Sequence, residues 1–208
     1  MEKNKEISQT VINRIPRYYR YISDLKEKNV ARISSKELAA TMGITASQIR
    51  QDLNCFGGFG QQGYGYNVEK LLEELSRILG LHKNRTAVII GIGNIGKALI
   101  KNFNFFGCGF RLICGFDASK DIIGRTFGDI TIRPVSELED YVKKEKPDIA
   151  VLTIPRDFAN SMADTLVKSG IKGIWNFTNV DIKSEECGVA VENVHFSDSL
   201  MTLCYKVE

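Results

Sequence analysis

The chain has 208 residues, 43% hydrophobic and 25% charged, a balance that implies a packed core and excludes a disordered polymer. The formal charge is only +3, but residues 1–80 hold 12 basic and 9 acidic side chains while residues 81–208 hold 16 of each, so the whole surplus lies in the first part. No apolar run reaches the ~18 residues of a membrane span, and five cysteines without CxxC spacing, with two histidines, argue against a disulfide framework or a His-rich metal site.

The first part reads as helices. Val11, Ile12, Ile15, Tyr18, Tyr19 and Ile22 recur at helical spacing, with Pro16 marking a start or a bend. Ser34 and Glu37 form a capping box for a helix that buries Leu38, Ala39 and Met42 and stops at Gly43. Thr45 and Gln48 announce the next helix, which runs to about Cys55. Two helices joined by a short Gly-containing turn read as helix-turn-helix. The alternating aromatic and glycine stretch Phe56–Tyr66 predicts a β-hairpin, which makes the unit a winged helix. A fourth helix, Val68 to Leu79, ends at Gly80. The helix after Thr45 would enter a DNA major groove, offering Ser47, Gln48, Arg50 and Gln51 to base edges and phosphates. Arg14, Arg17, Arg20 and Lys36 are candidates to neutralise phosphates, and Gly63 and Tyr64 are wing contacts.

Beyond Gly80 the pattern becomes strand–helix alternation, which implies a doubly wound parallel sheet with both faces covered. The expected strands are Thr86–Ile90, Phe110–Phe116, Asp148–Ile154, Gly173–Phe177 and a short one at Val189–Val191. The expected helices are Asn94–Phe105, one capped by Ser136 and Glu139, one starting at Pro155, and a last one over Ser197–Val207 capped by Ser197 or Asp198. The first strand leads into Gly91-Ile92-Gly93-Asn94-Ile95-Gly96, and Asp117 follows Gly96 by 21 residues at the end of the next strand. That context marks a dinucleotide-binding turn. Pyrophosphate sits on the helix N-terminus and the carboxylate binds ribose hydroxyls, favouring NAD(H) over its 2′-phosphorylated form. A rival reading is an NAD-dependent oxidoreductase with a fused helical domain, for which His195 is the one plausible acid–base group.

These pieces, in this order, resemble the bacterial Rex family of redox-sensing transcriptional repressors. The blocks that carry the resemblance are Arg14–Tyr18, Thr45–Leu53, Gly63–Tyr66, Ile78–Leu81, the Gly91 loop, Leu152–Arg156, Gly170–Phe177 and Val191–Val194. The resemblance implies a cytoplasmic homodimer that exchanges its C-terminal helix, binds inverted-repeat operator DNA, and is released by NADH with NAD+ opposing. It implies a DNA-binding domain over 1–80 and a nucleotide-binding, dimerising domain over 81–208. It places Thr153, Ile154 and Pro155 beside the cofactor and Phe196 near its nicotinamide end. The sequence departs from the family pattern in several places. Gln51 and Gln62 replace basic residues, His195 an aspartate and Asn179 a proline, and Asn102 and Phe103 stand where a tyrosine is usual.

Overall fold

The computed structural model describes residues 7–60, 64–183 and 188–207. It divides into two compact units, Met1–His82 and Lys83–Glu208.

Among the described residues, the first unit holds five α-helices: α1 (Gln9–Ile12), α2 (Ile15–Glu27), α3 (Ser35–Met42), α4 (Ala46–Asn54) and α5 (Val68–Leu79). Pro16 lies in the first turn of α2, where its missing N–H costs nothing. The capping box at Ser34 is complete: Ser34 Oγ accepts from the Glu37 N–H at 3.1 Å, and Glu37 accepts from the Ser34 N–H at 2.8 Å. Gly43 closes α3 in the left-handed conformation, which a residue without a Cβ adopts at no steric cost. The core is Ile15, Tyr18 and Ile22 of α2 against Leu38, Ile49, Leu53, Leu71 and Leu75.

The strand pairing differs from a hairpin folded within Phe56–Tyr66. Among the described residues, β1 (Arg32–Ile33) pairs antiparallel with β2 (Tyr66–Asn67), Ile33 opposite Tyr66. Both side chains are buried, so the core draws the return strand of the wing toward the segment ahead of α3. Gly63, with the departure at Gln62, falls outside the described residues.

The second unit is a seven-stranded sheet in the order β5-β6-β4-β3-β7-β8-β9, comprising β3 (Arg85–Ile90), β4 (Phe110–Asp117), β5 (Thr126–Phe127), β6 (Ile130–Pro134), β7 (Ile149–Leu152), β8 (Gly173–Asn176) and β9 (Ala190–Asn193). Among the described residues, all pairs in this sheet are parallel except β5–β6, a small antiparallel hairpin that the apolar pattern did not announce. The helices are α6 (Asn94–Asn102), α7 (Leu138–Glu145), α8 (Ala159–Ser169) and α9 (Phe196–Lys206). Alternate residues serve opposite faces, as the two-residue strand period requires: Val88 and Ile90 pack with Leu138, Ala163 and Leu166, whereas Ile89 packs with Ile92, Ile132 and Val151.

Several expected boundaries move. The Ser136–Glu139 box does not form. Val135–Glu137 is a single 3-10 turn, Glu137 bonds back to Arg133 at 3.0 Å, and α7 starts at Leu138 without a side-chain cap. The residues after Pro155 first make a 3-10 turn, Arg156–Phe158. Helix α6 stops at Asn102 because Phe103 turns extended and packs edge-on to Phe105 and against Trp175, at ring distances of 4.9 and 5.1 Å. His195, not Ser197 or Asp198, is the residue ahead of α9, and it makes no cap bond.

Candidate functional site

Strand order reverses between β3 and β7, and in open α/β sheets the crevice at such a reversal, beyond the carboxyl ends of the strands, takes the ligand. The Gly91 loop lies there. Gly91 has φ +91°, and a Cβ on it would lie 2.7 Å from the Thr153 carbonyl oxygen. A Cβ on Gly96 would collide with the Gly91 carbonyl oxygen, so α6 can approach β3 only as glycine. Gly93 has open space where a Cβ would be. Helix α6 starts there with no side-chain cap and no acidic residue in its first turn. Its free amides and positive dipole end are therefore left for an anion.

Asp117 ends β4 and receives two backbone N–H groups, from Ile92 at 2.6 Å and Ser119 at 2.8 Å. A carboxylate has about four lone-pair directions, so room remains for ribose hydroxyls. The Ile92 side chain is buried beneath the loop, whereas Asn94 and Ile95 are exposed on the first turn of α6. Thr153 follows β7, and its hydroxyl donates to the Gly91 carbonyl at 2.6 Å, pinning the loop from the neighbouring strand. Ile154 touches Gly91 as well, and Pro155 is exposed beside it. These features fit a dinucleotide: open backbone at Gly93, unpaired helix amides, and an anchored carboxylate.

Phe196 is exposed at the start of α9, 6.1 Å from Phe177, which in turn packs edge-on against Trp175. His195 is held by Asp181 at 2.8 Å and Asn179 at 3.2 Å. The loop carrying both partners is braced by buried Asn176, whose amide donates to the Val180 carbonyl and Asn193 while its oxygen accepts from Thr178. Helix α9 buries none of its residues, and Leu200, Met201, Leu203 and Tyr205 are all more than half exposed.

In the first unit, Ser47, Arg50 and Gln51 project from α4 into solvent, and Lys36 from the first turn of α3. Arg50 Nη1 donates to Ser35 Oγ at 3.0 Å, which ties the head of the side chain to the preceding helix. Arg17 is exposed, its guanidinium 3.4 Å from the Met42 carbonyl at the turn between α3 and α4. Tyr64 is 71% exposed, under the Arg32 guanidinium, which also donates to the Tyr64 carbonyl at 3.2 Å.

Arg14 and Gln48 are placed differently. Arg14 gives Nε and Nη2 to Asp52 at 2.6 and 2.8 Å, and Gln48 gives its amide to Asp52 at 2.8 Å. Tyr18 adds its hydroxyl at 2.6 Å. Asp52 is 1% exposed. Burial alone would raise its pKa. Hydrogen bonds from Arg14, Tyr18 and Gln48, with the charge of Arg14, outweigh that and hold the carboxyl below its ordinary value. The hydrogen bond to Asp52 and its charge raise the Arg14 pKa against the opposing effect of burial, whereas burial first, and then the hydrogen bond and charge of Asp52, raise that of Tyr18. Asp52 and Arg32 were not singled out from sequence. Asp52 sits between Ile49 and Leu53 on the apolar stripe of α4, and a carboxylate at a core position was the available signal.

Exposed polar side chains on a helix-turn-helix, together with a doubly wound unit carrying a dinucleotide turn, define a nucleotide-responsive DNA-binding regulator. Residues 6–54 match the family model described as putative DNA-binding protein N-terminus, and residues 82–180 match the CoA binding domain. A relative from Caldicellulosiruptor bescii, named redox-sensing transcriptional repressor Rex, is 53% identical over 209 residues, spanning 100% of this chain and 95% of the relative. A relative of the same name from Clostridium botulinum is 50% identical, spanning 100% and 98%. Among solved structures, RSP in complex with β-NAD+ and operator DNA aligns with a TM-score of 0.91 at 49% identity, covering 98% of this chain and 93% of that one. RSP in complex with β-NADH aligns at 0.89 and 47%, covering 97% and 94%. The chain belongs to the Rex family of redox-sensing transcriptional repressors.

Proposed function

We propose that the chain is a homodimeric cytoplasmic repressor that binds inverted-repeat operator DNA through residues 1–80 and is released when residues 81–208 bind NADH. The observation that carries this reading is the pairing of an exposed recognition helix with an open, uncapped dinucleotide turn in one chain. The printed ligands of RSP, β-NAD+ with operator DNA in one structure and β-NADH in another, support the same pair of partners.

Arg50, Ser47 and Gln51 face base edges and neighbouring phosphates; Lys36, Arg17 and Tyr64 hold the backbone. Gly91, Gly93, Gly96 and the amides of Asn94 and Ile95 cradle the pyrophosphate, Asp117 binds the adenosine ribose, and Thr153, Ile154 and Pro155 form the wall beside it. Bound dinucleotide supplies a nicotinamide ring that is cationic when oxidised and neutral when reduced. Phe196 lies at that end of the site. The bare apolar surface of α9 supports its burial in a second copy of the chain. A twofold dimer presents two recognition helices to two half-sites, which is why the operator would be an inverted repeat.

Release requires NADH to favour the arrangement that does not grip DNA, since a ligand with equal affinity for both shifts nothing. Reciprocity then makes operator DNA weaken NADH binding by the same factor. NADH affinity is measured by titration with and without operator duplex. A lower affinity with DNA is expected, and equal affinities overturn the reading. No observation favours the oxidoreductase reading: full-length relatives are named repressors, and both ring nitrogens of His195 are engaged.

A further inference from the structure

The sequence treats Gln48 as a reader of bases, yet its amide is turned away from the exposed face of α4. Thr45 Oγ accepts from the Gln48 N–H at 3.1 Å, so half of a capping box exists, but the Gln48 side chain does not return to Thr45. It runs one turn forward to Asp52. Asp52 thereby joins three donor side chains: Gln48 on α4 itself, Tyr18 on α2, and Arg14 just ahead of α2. The cap of α4 at Thr45 and the carboxylate seven residues further on are linked through the one residue Gln48. A carboxylate 1% exposed has no water to replace a lost donor, so its partners fix its position closely.

We propose that Asp52 is the positioning residue of the DNA-reading helix, and that Gln48 acts through it, setting the pitch of α4 rather than recognising a base. The inference rests on the reading of α4 as the recognition helix. Ile49, Asp52 and Leu53 form the buried stripe of α4, while Ser47, Arg50 and Gln51 lie on its exposed side. A shift of the helix on α2 therefore moves all three exposed side chains together. Loss of one donor to Asp52 weakens contacts to every sequence alike, whereas loss of a base contact changes which sequence is preferred.

The test uses the full-length chain. A random duplex pool is first selected on the unaltered protein; failure to enrich any inverted repeat overturns the parent reading, not this one. Gln48→Ala, Tyr18→Phe and their combination are then titrated against the enriched duplex and against the pool, with a thermal melt of each. Tyr18 is 0% exposed, so its hydroxyl cannot touch DNA. Each single variant is expected to lose about 3- to 10-fold in operator affinity, the size of one hydrogen bond. The enriched sequence should stay unchanged, and the double variant should lose less than the product of the two losses. A changed base preference in Gln48→Ala overturns the proposal. So does a lower melting temperature in both single variants with operator affinity intact at a temperature where they are folded. Asp52→Asn adds a severe case; if it does not fold, the two single variants still decide.

Discussion

On the function and the positioning role proposed above, the two units use opposite materials for recognition. The nucleotide loop works with backbone: a glycine where a side chain would block, free amides at a helix start, and one carboxylate held by two N–H groups. The DNA-reading unit works with side chains: Arg50 propped by Ser35, Tyr64 under Arg32, and a helix set by a buried carboxylate. Backbone recognition tolerates almost no change in the residues that permit it, because an added atom has nowhere to go. Side-chain recognition degrades one contact at a time. That contrast can be broken by substitution, and the expected effects differ in size.

The largest belongs to the glycine loop. Gly96→Val places a branched side chain against the Gly91 carbonyl, and NADH affinity is expected to fall by about 100-fold or more, the upper end of an overpacking cost. Calorimetric titration of NADH measures it, and operator binding without nucleotide should survive. Next comes Arg50→Ala, expected to lose about 10- to 100-fold in operator affinity, as for one bidentate base contact, with NADH affinity unchanged. Anisotropy with a labelled duplex decides it, and a loss confined to the phosphate-driven salt slope would move Arg50 from base reader to backbone contact.

Thr153 is intermediate, because it is a side chain serving the backbone loop. Thr153→Val is expected to cost about 10-fold in NADH affinity, and Thr153→Ser to restore most of it, since only the hydroxyl donates to Gly91. A loss in Thr153→Ser with Thr153→Val intact would point to the methyl group instead.

The smallest effect near neutral pH concerns Asp52. Its carboxyl titrates below the ordinary value of 3.8, so it contributes stability that is fully present above that value. That contribution is lost as pH falls from 3.8 through the lowered folded value. Melts of the full chain at pH 7 and at stepped acid pH should show the first unit weakening, and the Asp52→Asn variant should lack this part of the acid dependence. At pH 7 the carboxyl is fully ionised and small pH changes should have no effect.

Legibility in the sequence followed the same division. Backbone recognition announces itself, because glycines at fixed spacing, a preceding strand and an acidic residue at the next strand end have few other reasons to coincide. The Ser34 box and the left-handed Gly43 were readable for the same reason: short-range bonds fix them. Tertiary competition was not readable. Gln48 had the right spacing to complete a cap, but a buried carboxylate one turn on offered a better acceptor. Ser136 had the same pattern, but it lies within the 3-10 turn Val135–Glu137, and its would-be partner Glu139 accepts from Lys143 instead. The hairpin β5–β6 escaped because two strands of two and five residues carry too short an alternation to register. The pairing of β1 with β2 joins segments more than 30 residues apart, and no local pattern encodes it.

Helix α9 has a consequence for the fate of newly made chains. An 11-residue helix is too short to persist alone in water, and this one turns its leucines, methionine and tyrosine outward. Its order must then come from whatever covers it. With a second copy as the cover, mass action enters: dilution loosens the helix, the melting temperature climbs with protein concentration, and a cell making few copies holds chains whose last segment is open to proteases. Abundance itself would then help decide how much of the protein is able to act.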